Sequence, residues 1–524
     1  MNSRTRNALA VVAALALFGA AGCTDTTVEP QSTITQTNVF NDVNTYKGFI
    51  ARVYAGLAVS GQQGPAGRPD IQGIDEGFSQ YLRLFWEAQE LPTDAAVIGW
   101  GDVGLPEMNT QMWAASNSFV VAMYYRIFFQ VAMANEFLRE TSQDRMAARN
   151  VSAEVNNAVQ TYRAEARFLR ALSYWHGIDL FGDIPFVTEE DQLGATPPQQ
   201  STREEIFDFI VTELNEIRTQ LPAGAGTYGR ATPAAASMLL AKLYLNSEVY
   251  TGTPRYADAL AAAQQAIAAG YTLDTNWRRM FMADNHNSPE IIFPVTQDGL
   301  RTQTWGGMTF IVHASVGGNT MNASNYGVDG GWWGLRLKPQ TYRLFEDADH
   351  RNDFFFTEGQ NVEVNSISDW FSGVAAPKYS NLTSTGSAGS NRTHVDTDFP
   401  MFRLADAYLM YAEAHLRGGG GTRAQALAYV NALRQRAYGG TDGNIADAAL
   451  TLDFIIDERG RELMWEAHRR TDLIRFGLFT GGDYLWAWKG GVQAGRSTET
   501  FRNLYPLPAN ELVANPNLTQ NPGY

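Results

Sequence analysis

Three glutamates, Glu458, Glu462 and Glu466, recur at every fourth residue of an arginine-rich stretch near the end of the chain. On one helix they would share a face, and a row of carboxylates can serve in acid–base catalysis or hold a metal ion. The same stretch carries four arginines: Arg459, Arg461, Arg469 and Arg470. Because guanidinium groups neutralise carboxylates, we interpret the row as ion pairs that hold neighbouring helices together. The same interpretation covers two further groups: Glu165 with Arg167 and Arg170, and Asp472 with Arg475.

Other patterns that could carry enzyme chemistry are weak. Gly224, Gly226 and Gly229 have the spacing of a dinucleotide-binding loop, but they follow a helix and Pro222 rather than a strand, so a turn between helices is favoured. The chain has no HExxH or GxSxG motif, and its 7 histidines are scattered. We therefore predict no catalytic residue, no metal site, no cofactor and no enzyme activity. A glycosidase stays open as a distant alternative, because its two carboxylates have no sequence signature.

Cys23 is the one cysteine of the 524 residues, which excludes an internal disulfide. Basic residues precede an apolar run over residues 8–21 that is too short to span a bilayer, and small residues lead directly to the cysteine. Residues 1–22 are therefore predicted to be a lipoprotein signal peptide and Cys23 to be lipidated. The alternative is an ordinary signal peptide that contains a cysteine. Residues 23–37 are polar and are predicted to form a flexible tether.

The composition excludes some partners. Hydrophobic residues make up 44% of the chain and charged residues 18%, which is typical of a globular protein. The net charge of -15 argues against nucleic acid, whose phosphates call for a basic surface. It argues equally against electrostatic docking on anionic lipid. Past the signal peptide, no segment is apolar enough to cross a membrane.

Several segments have the apolar periodicity of helices. Overlapping capping-box patterns begin at Ser201 and Thr202, the apolar face continues to Leu221, and Pro222 ends the helix. Thr232-Pro233 then begins a second helix, and residues 257–269 form a third. Further helices are predicted over residues 123–138, 162–180, 404–416, 424–436 and 454–476, with a short helical patch at 340–346.

These helices are predicted to form antiparallel pairs. Pairs that each bury one face against the next favour a mainly all-α fold, a TPR-like stack or α–α superhelix. Between residues 296 and 398 the helical pattern mostly disappears, and Gly, Ser, Asn and aromatic residues dominate. We interpret this region as ordered loops packed on the helices. The mature chain is then one domain over residues 38–524: a helical part (38–295), a loop-rich ligand region (296–398) and a second helical part (399–524).

Four groups of segments, in this order behind the lipobox, resemble the SusD/RagB family of outer-membrane lipoproteins. They are residues 164–186, residues 230–244, the set 408–414, 431–437, 457–463 and 470–477, and the ending 504–508 with 520–524. The resemblance implies one mainly helical domain with a TPR-like spine. It also implies an outer-membrane, surface-exposed location and a partner, a SusC-like TonB-dependent β-barrel transporter that such proteins cover as a hinged lid.

The resemblance further implies a binding protein. Members of the family capture a nutrient, mostly an oligosaccharide, and deliver it to the transporter. The favoured function is therefore a glycan-binding lid. The same role for peptides or another nutrient is the alternative, and a surface glycan hydrolase is a more distant one.

Sugar rings pack their C–H faces on aromatic rings, while their hydroxyls need polar partners. Trp100, flanked by Asp94 and Asp102, fits this pattern and resembles an early loop that carries a tryptophan at the site in glycan-binding members. Burial of Trp100 in the core is the alternative.

A second cluster of aromatic and polar residues lies in the loop-rich region. From it, Trp305, Tyr326 and Trp332 are predicted to contact the ligand. The cluster also contains Asn325 and Trp333, and Trp370 is a weaker candidate. One of the adjacent pair Trp332-Trp333 is expected to be structural, because a similar Gly-Trp turn recurs in the family. Packing of these loops on the helices is the alternative.

Overall fold

The computed structural model describes residues 40, 42–191, 194, 196–224 and 226–524. The predicted signal peptide, Cys23 and the tether lie outside the described residues. The α-helices of the described part are α1 (Val43–Ala58), α2 (Tyr81–Glu90), α3 (Leu105–Thr110), α4 (Ser118–Glu140), α5 (Gln143–Ala148), α6 (Ala153–Phe181), α7 (Arg203–Ile217), α8 (Pro233–Leu245), α9 (Ser247–Thr251), α10 (Tyr256–Ile267), α11 (Gly307–Ala314), α12 (Pro339–Tyr342), α13 (Leu404–Leu416), α14 (Arg423–Tyr438), α15 (Leu452–Glu462), α16 (Arg469–Arg475) and α17 (Ala509–Ala514).

Helices packed in series form the body of the molecule. α4 packs on α6 and α6 on α7, while α8 packs on α10, α10 on α13 and α13 on α14. One hydrophobic core runs through these contacts and takes side chains from Ile50 to Leu518. The predicted mainly helical, TPR-like fold is confirmed. Across the residues that the structure describes, no helix combines the length and the apolar character needed to cross a bilayer.

The capping signals at the start of α7 and α8 are confirmed. The Thr202 side chain accepts a hydrogen bond from the Glu205 amide at 3.2 Å, and the Glu205 carboxylate accepts one from the Thr202 amide at 2.9 Å. Thr232 caps α8 with Pro233 at its first position. These local bonds satisfy amides that a helix leaves free at its first turn, which is why the sequence predicts these starts closely.

The long helix predicted over residues 454–476 is wrong, because the chain breaks between α15 and α16. Trp465 and Ala467 have φ angles of 60° and 61°, in the left-handed region. Tertiary contacts hold the break: the Trp465 ring is buried, and its indole N–H donates to the Ala95 carbonyl at 3.1 Å. Glu466 therefore leaves the helical face that it was predicted to share with Glu458 and Glu462.

The short strands form three antiparallel pairs. They are β1 (Ala96–Ile98) with β5 (Leu335–Leu337), β2 (Ile184–Pro185) with β3 (Gln200–Ser201), and β4 (Ile291–Val295) with β6 (Phe399–Arg403). The loop-rich region also contains α11, which the sequence analysis did not predict. Residues 308–312 of α11 are all buried, and a helix that is apolar on every side shows no periodic stripe.

The carboxylate row is an ion-pair network, as predicted, but most of its partners come from distant elements. Arg351 contacts Glu458 at 2.8 Å and Glu462 at 2.9 Å, and Arg403 contacts Glu462 at 2.7 Å and Glu466 at 2.6 Å. All five side chains are buried. The network thereby joins the loop-rich region and β6 to α15.

One predicted pairing differs. Glu165 contacts Arg230 and accepts a hydrogen bond from the Tyr54 hydroxyl at 2.6 Å, rather than pairing with Arg167 and Arg170. Those two arginines contact Glu213, at 2.5 and 2.8 Å. The Asp472–Arg475 pair is confirmed at 2.8 Å.

Acid should destabilise this network. Burial opposes ionisation of Glu458, but Arg351, Arg461 and Arg434 outweigh it and hold its pKa at about 2. Arg459 and Arg475 likewise outweigh burial and hold the pKa of Asp472 at about 2. Because these values lie below those of the unfolded chain, about 4, the stability is present above pH 4 and is lost as the pH falls towards 2. We expect the free energy of unfolding, measured in urea, to be about 3 kcal/mol lower at pH 3 than at pH 5.

Two other glutamates act in the opposite sense above about pH 4. Burial raises the pKa of Glu87 to about 7 and that of Glu90 to about 8. Their contribution is complete below the unfolded value of about 4.3 and is lost as the pH rises through 7 and 8. These two glutamates should therefore lower the stability as the pH rises towards 8. Stability at pH 3 that equals or exceeds the stability at pH 5 would contradict the effect expected for the ion-pair network.

Candidate functional site

Pairing of β1 with β5 brings two tryptophans together that are 232 positions apart in sequence. Trp100 follows β1 and Trp332 precedes β5, so antiparallel pairing places them at the same end of the ladder. The Gly99 amide extends the ladder by donating to the Gly334 carbonyl at 3.0 Å. The indole N–H of Trp100 then donates to the Trp332 carbonyl at 3.1 Å.

Trp305 joins this pair from the segment just before α11. Its ring centroid lies 6.2 Å from that of Trp332, and the Trp100 centroid lies 6.3 Å from Trp332 on the other side. Neighbouring ring planes are inclined by 51° and 45°. We call Trp100, Trp305 and Trp332 the tryptophan cluster. Trp305 is 40% exposed, and the other two members are half-buried.

Two histidines support the cluster. The His313 ring stacks on Trp332 with centroids 4.6 Å apart, and its two nitrogens lie 2.7 and 3.0 Å from the carbonyl oxygens of Gly330 and Thr393. His394 lies against Trp305 with centroids 4.9 Å apart. The sequence analysis missed both histidines. A signal existed only for His313, which directly follows the apolar residues of α11.

A buried cation lies on the inner side of the cluster. The Arg83 guanidinium carbon is 5.6 Å from the Trp100 ring centroid and 3.9 Å from that of Phe310, and Phe310 meets Trp100 edge-on. Arg83 forms an ion pair with Glu87 at 2.9 Å. Cation–π contact and close packing hold the Trp100 ring from below.

The prediction that Asp94 contacts a ligand is wrong. Its side chain is fully buried, and its two oxygens accept hydrogen bonds from Arg469, both at 2.7 Å, and from the Tyr484 hydroxyl at 2.6 Å. Burial would raise its pKa, but Arg469 and Tyr484 lower it. Asp94 therefore anchors α16 to the chain before β1. Asp102, in contrast, is half-buried, and no described residue donates a hydrogen bond to its carboxylate.

Tyr326 lies outside the tryptophan cluster, contrary to its predicted grouping with Trp305 and Trp332. Together with Asn325 it lines a separate cavity of about 710 Å³. Trp370 is buried in a small core with Val316 and Met321. Trp333 is 44% exposed, and its ring forms no aromatic pair with the tryptophan cluster among the described residues.

Gly334 leaves room for the Trp100 ring. A Cβ atom at this position would lie 2.8 Å from two atoms of the indole, which is closer than side chains approach. Because Trp100 is held by Phe310 and its hydrogen bond, it cannot move away freely. We expect Gly334→Ala to lower the free energy of unfolding by about 1–3 kcal/mol, measured in urea. Gly330→Ala is the matched control, since no heavy atom lies within 4 Å of a Cβ there. Equal stability of the two variants would contradict the tight packing.

Within the described part of the chain, no three His, Cys, Asp or Glu side chains group as a metal site would require. The structure is thus a stack of paired helices that carries a partly exposed cluster of tryptophans. Comparison with known proteins shows which proteins it resembles. Residues 358–524 match the model of the SusD family, and residues 94–245 match a model described as starch-binding and associating with the outer membrane.

The starch-binding protein SusD of Bacteroides thetaiotaomicron is 33% identical to this chain over 531 residues, which cover 91% of this chain and 92% of that protein. The chain belongs to the SusD family. SusD-like protein P2 of Formosa agariphila is 26% identical, with 80% and 83% of the two chains covered.

Solved structures agree in fold. A SusD superfamily protein from Bacteroides vulgatus superposes with a TM-score of 0.71 at 18% identity and covers 93% of this chain and 100% of its own. Surface glycan-binding protein A from Bacteroides thetaiotaomicron, in complex with laminarihexaose, superposes with a TM-score of 0.69 at 19% identity and covers 91% and 99%. The relative at 33% identity is thus named as starch-binding, and the helical fold is shared with the solved structures.

Proposed function

We propose that this protein captures an oligosaccharide on the tryptophan cluster, with Trp305, Trp332 and Trp100 as the stacking surfaces. One observation carries the proposal: three adjoining indoles form a row whose outer member is 40% exposed. Aromatic faces suit the C–H faces of sugar rings. Asp102, two residues after Trp100 and without a donor among the described residues, is a candidate acceptor for sugar hydroxyls.

The preferred ligand in this proposal is an α-linked glucan of the starch type. Neighbouring ring planes are inclined by 45° and 51° and are not coplanar, which suits a chain whose successive sugars turn better than a flat ribbon. The relative at 33% identity, named as starch-binding, supports the same choice. Peptide capture, the alternative from the sequence, gains no comparable support from the cluster.

Calorimetry with the purified full chain tests this proposal. Maltoheptaose, cellohexaose, laminarihexaose and a mixed tryptic peptide digest are titrated under identical conditions. We expect maltoheptaose to bind at least about tenfold more tightly than either β-glucan, and the peptides not to bind. Preference for a β-glucan would overturn the starch-type ligand, and binding of peptides alone would overturn the glycan function.

The proposed role includes delivery. Lipid on Cys23 would anchor the protein to the outer membrane, and a SusC-like TonB-dependent transporter would receive the glycan beneath it. The family description, associating with the outer membrane, supports this placement.

In cell fractionation, the parent should remain with the outer membrane and co-purify with a β-barrel protein, whereas Cys23→Ser should lose the anchor. Equal membrane retention of both proteins would refute lipidation at Cys23.

The proposed protein binds its glycan without cleaving it. The carboxylates of the row are occupied by arginines, and relatives are named for binding rather than for hydrolysis. Prolonged incubation with maltoheptaose should therefore release no shorter sugar, as measured by chromatography. Release of maltose or glucose by the pure protein would contradict this.

A further inference from the structure

A second cavity, of about 710 Å³, lies in the loop-rich part of the molecule and shares no lining residue with the tryptophan cluster. Its walls are rich in aromatic rings, including Trp277, Tyr326, Phe354 and Phe355, and it also contains Arg278. We call it the Arg278 cavity. Its volume is within the range of about 300–1,000 Å³ that is usual for pockets that bind small molecules.

Arg278 gives this cavity an unbalanced positive charge. Its guanidinium donates hydrogen bonds to the carbonyls of Pro377, at 3.0 Å, and Lys378, and lies 5.1 Å from the Phe354 ring centroid. No carboxylate of the described residues forms an ion pair with it. Burial lowers the pKa of Arg278 to about 10, and the one group that opposes this effect is Tyr326. The guanidinium nevertheless remains charged at neutral pH.

The two other arginines of the cavity already have carboxylate partners. Arg351 contacts Asp349 and two glutamates of the carboxylate row, and Arg436 contacts Glu290 and Glu462. The carboxylate among the described lining residues, Asp353, is 66% exposed to solvent and lies 3.2 Å from His350, and it forms no ion pair with Arg278. Among the described lining residues, Arg278 is thus the cation that has no carboxylate partner.

Two buried donors in the lining also lack partners. The indole N–H of Trp277, a residue that is 8% exposed, makes no hydrogen bond to the described chain, and neither does the Nε of Arg436. A buried N–H without an acceptor costs about 1–3 kcal/mol, so an acceptor supplied from outside would be favoured. Asn276, Asn325 and Ser380 add polar groups to the same lining.

We propose that the Arg278 cavity is a second binding site, separate from the tryptophan cluster, for a sugar that bears a carboxylate, such as a uronic acid. A guanidinium without a carboxylate partner balances one carboxylate, which accepts the N–H groups that the Pro377 and Lys378 carbonyls leave free. The aromatic walls accept the C–H face of the ring, and the amide and hydroxyl groups of the lining meet sugar hydroxyls. The site selects an acidic sugar over a neutral one, because a neutral sugar leaves the guanidinium without a counter-charge.

Titration of the full chain with glucuronic acid, and separately with glucose, tests the proposal. We expect glucuronic acid to bind and glucose not to bind. Arg278→Met should weaken the binding of glucuronic acid at least about tenfold, which is the loss of affinity expected for one charge-assisted contact. Arg278→Lys keeps the charge but not the forked donors. Its affinity for glucuronic acid should lie between those of the parent and Arg278→Met.

Because Arg278 also holds two carbonyls, its loss could disturb the fold, so a second variant is needed. Asn325 is exposed at the cavity, and Asn325→Trp should block entry without changing the thermal midpoint. A folded Asn325→Trp protein that still binds glucuronic acid overturns the proposal. So does binding of inorganic phosphate in preference to the acid, or failure of the parent to bind glucuronic acid at millimolar concentration.

Trp305→Ala separates this proposal from the function assigned to the tryptophan cluster. The variant should keep its affinity for glucuronic acid and lose affinity for maltoheptaose. Arg278→Met should keep its affinity for maltoheptaose and lose affinity for glucuronic acid. Loss of glucuronic acid binding in Trp305→Ala would place both ligands at the tryptophan cluster and overturn the second site. Failure of maltoheptaose to bind the parent would affect the glycan-capture proposal alone.

Discussion

Replacement of Arg403 by methionine should lower the free energy of unfolding by about 3–5 kcal/mol, the cost of leaving buried charges without their partner. Arg403 is 1% exposed and contacts Glu290 at 2.9 Å, Glu462 at 2.7 Å and Glu466 at 2.6 Å. Its removal leaves three buried carboxylates with too few cations. Urea unfolding followed by circular dichroism at pH 7 measures the effect.

Arg301→Met provides the control. Arg301 also contacts an acid, Asp298 at 3.1 Å, but its side chain is 85% exposed and the pair is screened by water. We expect a change within about 0.5 kcal/mol. Arg403→Lys should be intermediate, since it keeps the charge but cannot contact all three glutamates. If Arg403→Met were as stable as Arg301→Met, the network would not stabilise the fold.

Trp305→Ala should have the largest effect on ligand binding. Trp305 is the most exposed member of the tryptophan cluster, so its ring is the one most available for stacking. Removal of a principal aromatic contact costs about 2 kcal/mol, or about thirtyfold in the dissociation constant. Calorimetric titration with maltoheptaose measures the change, and an unaltered thermal midpoint confirms that the variant is folded.

Trp333→Ala is matched to Trp305→Ala in residue type and exposure, 44% against 40%. Its ring forms no pair with the tryptophan cluster among the described residues, so affinity should change less than about twofold. Similar losses in both variants would show that the binding surface is not confined to the tryptophan cluster. Unchanged affinity in both would remove Trp305 from the proposed site.

The sequence predicted those parts of the fold that local bonds determine. The start of α7 follows from Thr202 and Glu205, and α13 has the predicted bounds, Leu404–Leu416. The break between α15 and α16 was missed, because the two left-handed residues are Trp465 and Ala467 rather than glycines. Contacts with residues hundreds of positions away impose that conformation, and a local pattern does not contain them.

The candidate site shows the same division. Residue type singled out Trp100, Trp305 and Trp332, and the structure brings these three together. Asp94 had the right chemistry and position, but its partners Arg469 and Tyr484 are 375 and 390 positions away. Tyr326 was grouped with Trp305 by proximity in sequence, whereas loop packing sends it to the Arg278 cavity.

Pairing of β1 with β5 determines when, during folding, the proposed binding surface forms. Each half of the surface comes from a different third of the polypeptide, and the halves meet only after strand pairing closes a loop of more than two hundred residues. A fragment that stops before β5 would contain most of the helices but not the strand pair that brings Trp100 and Trp332 together. The proposed binding surface therefore forms only when β5 pairs with β1, and a chain that has not made this pair should not bind the glycan.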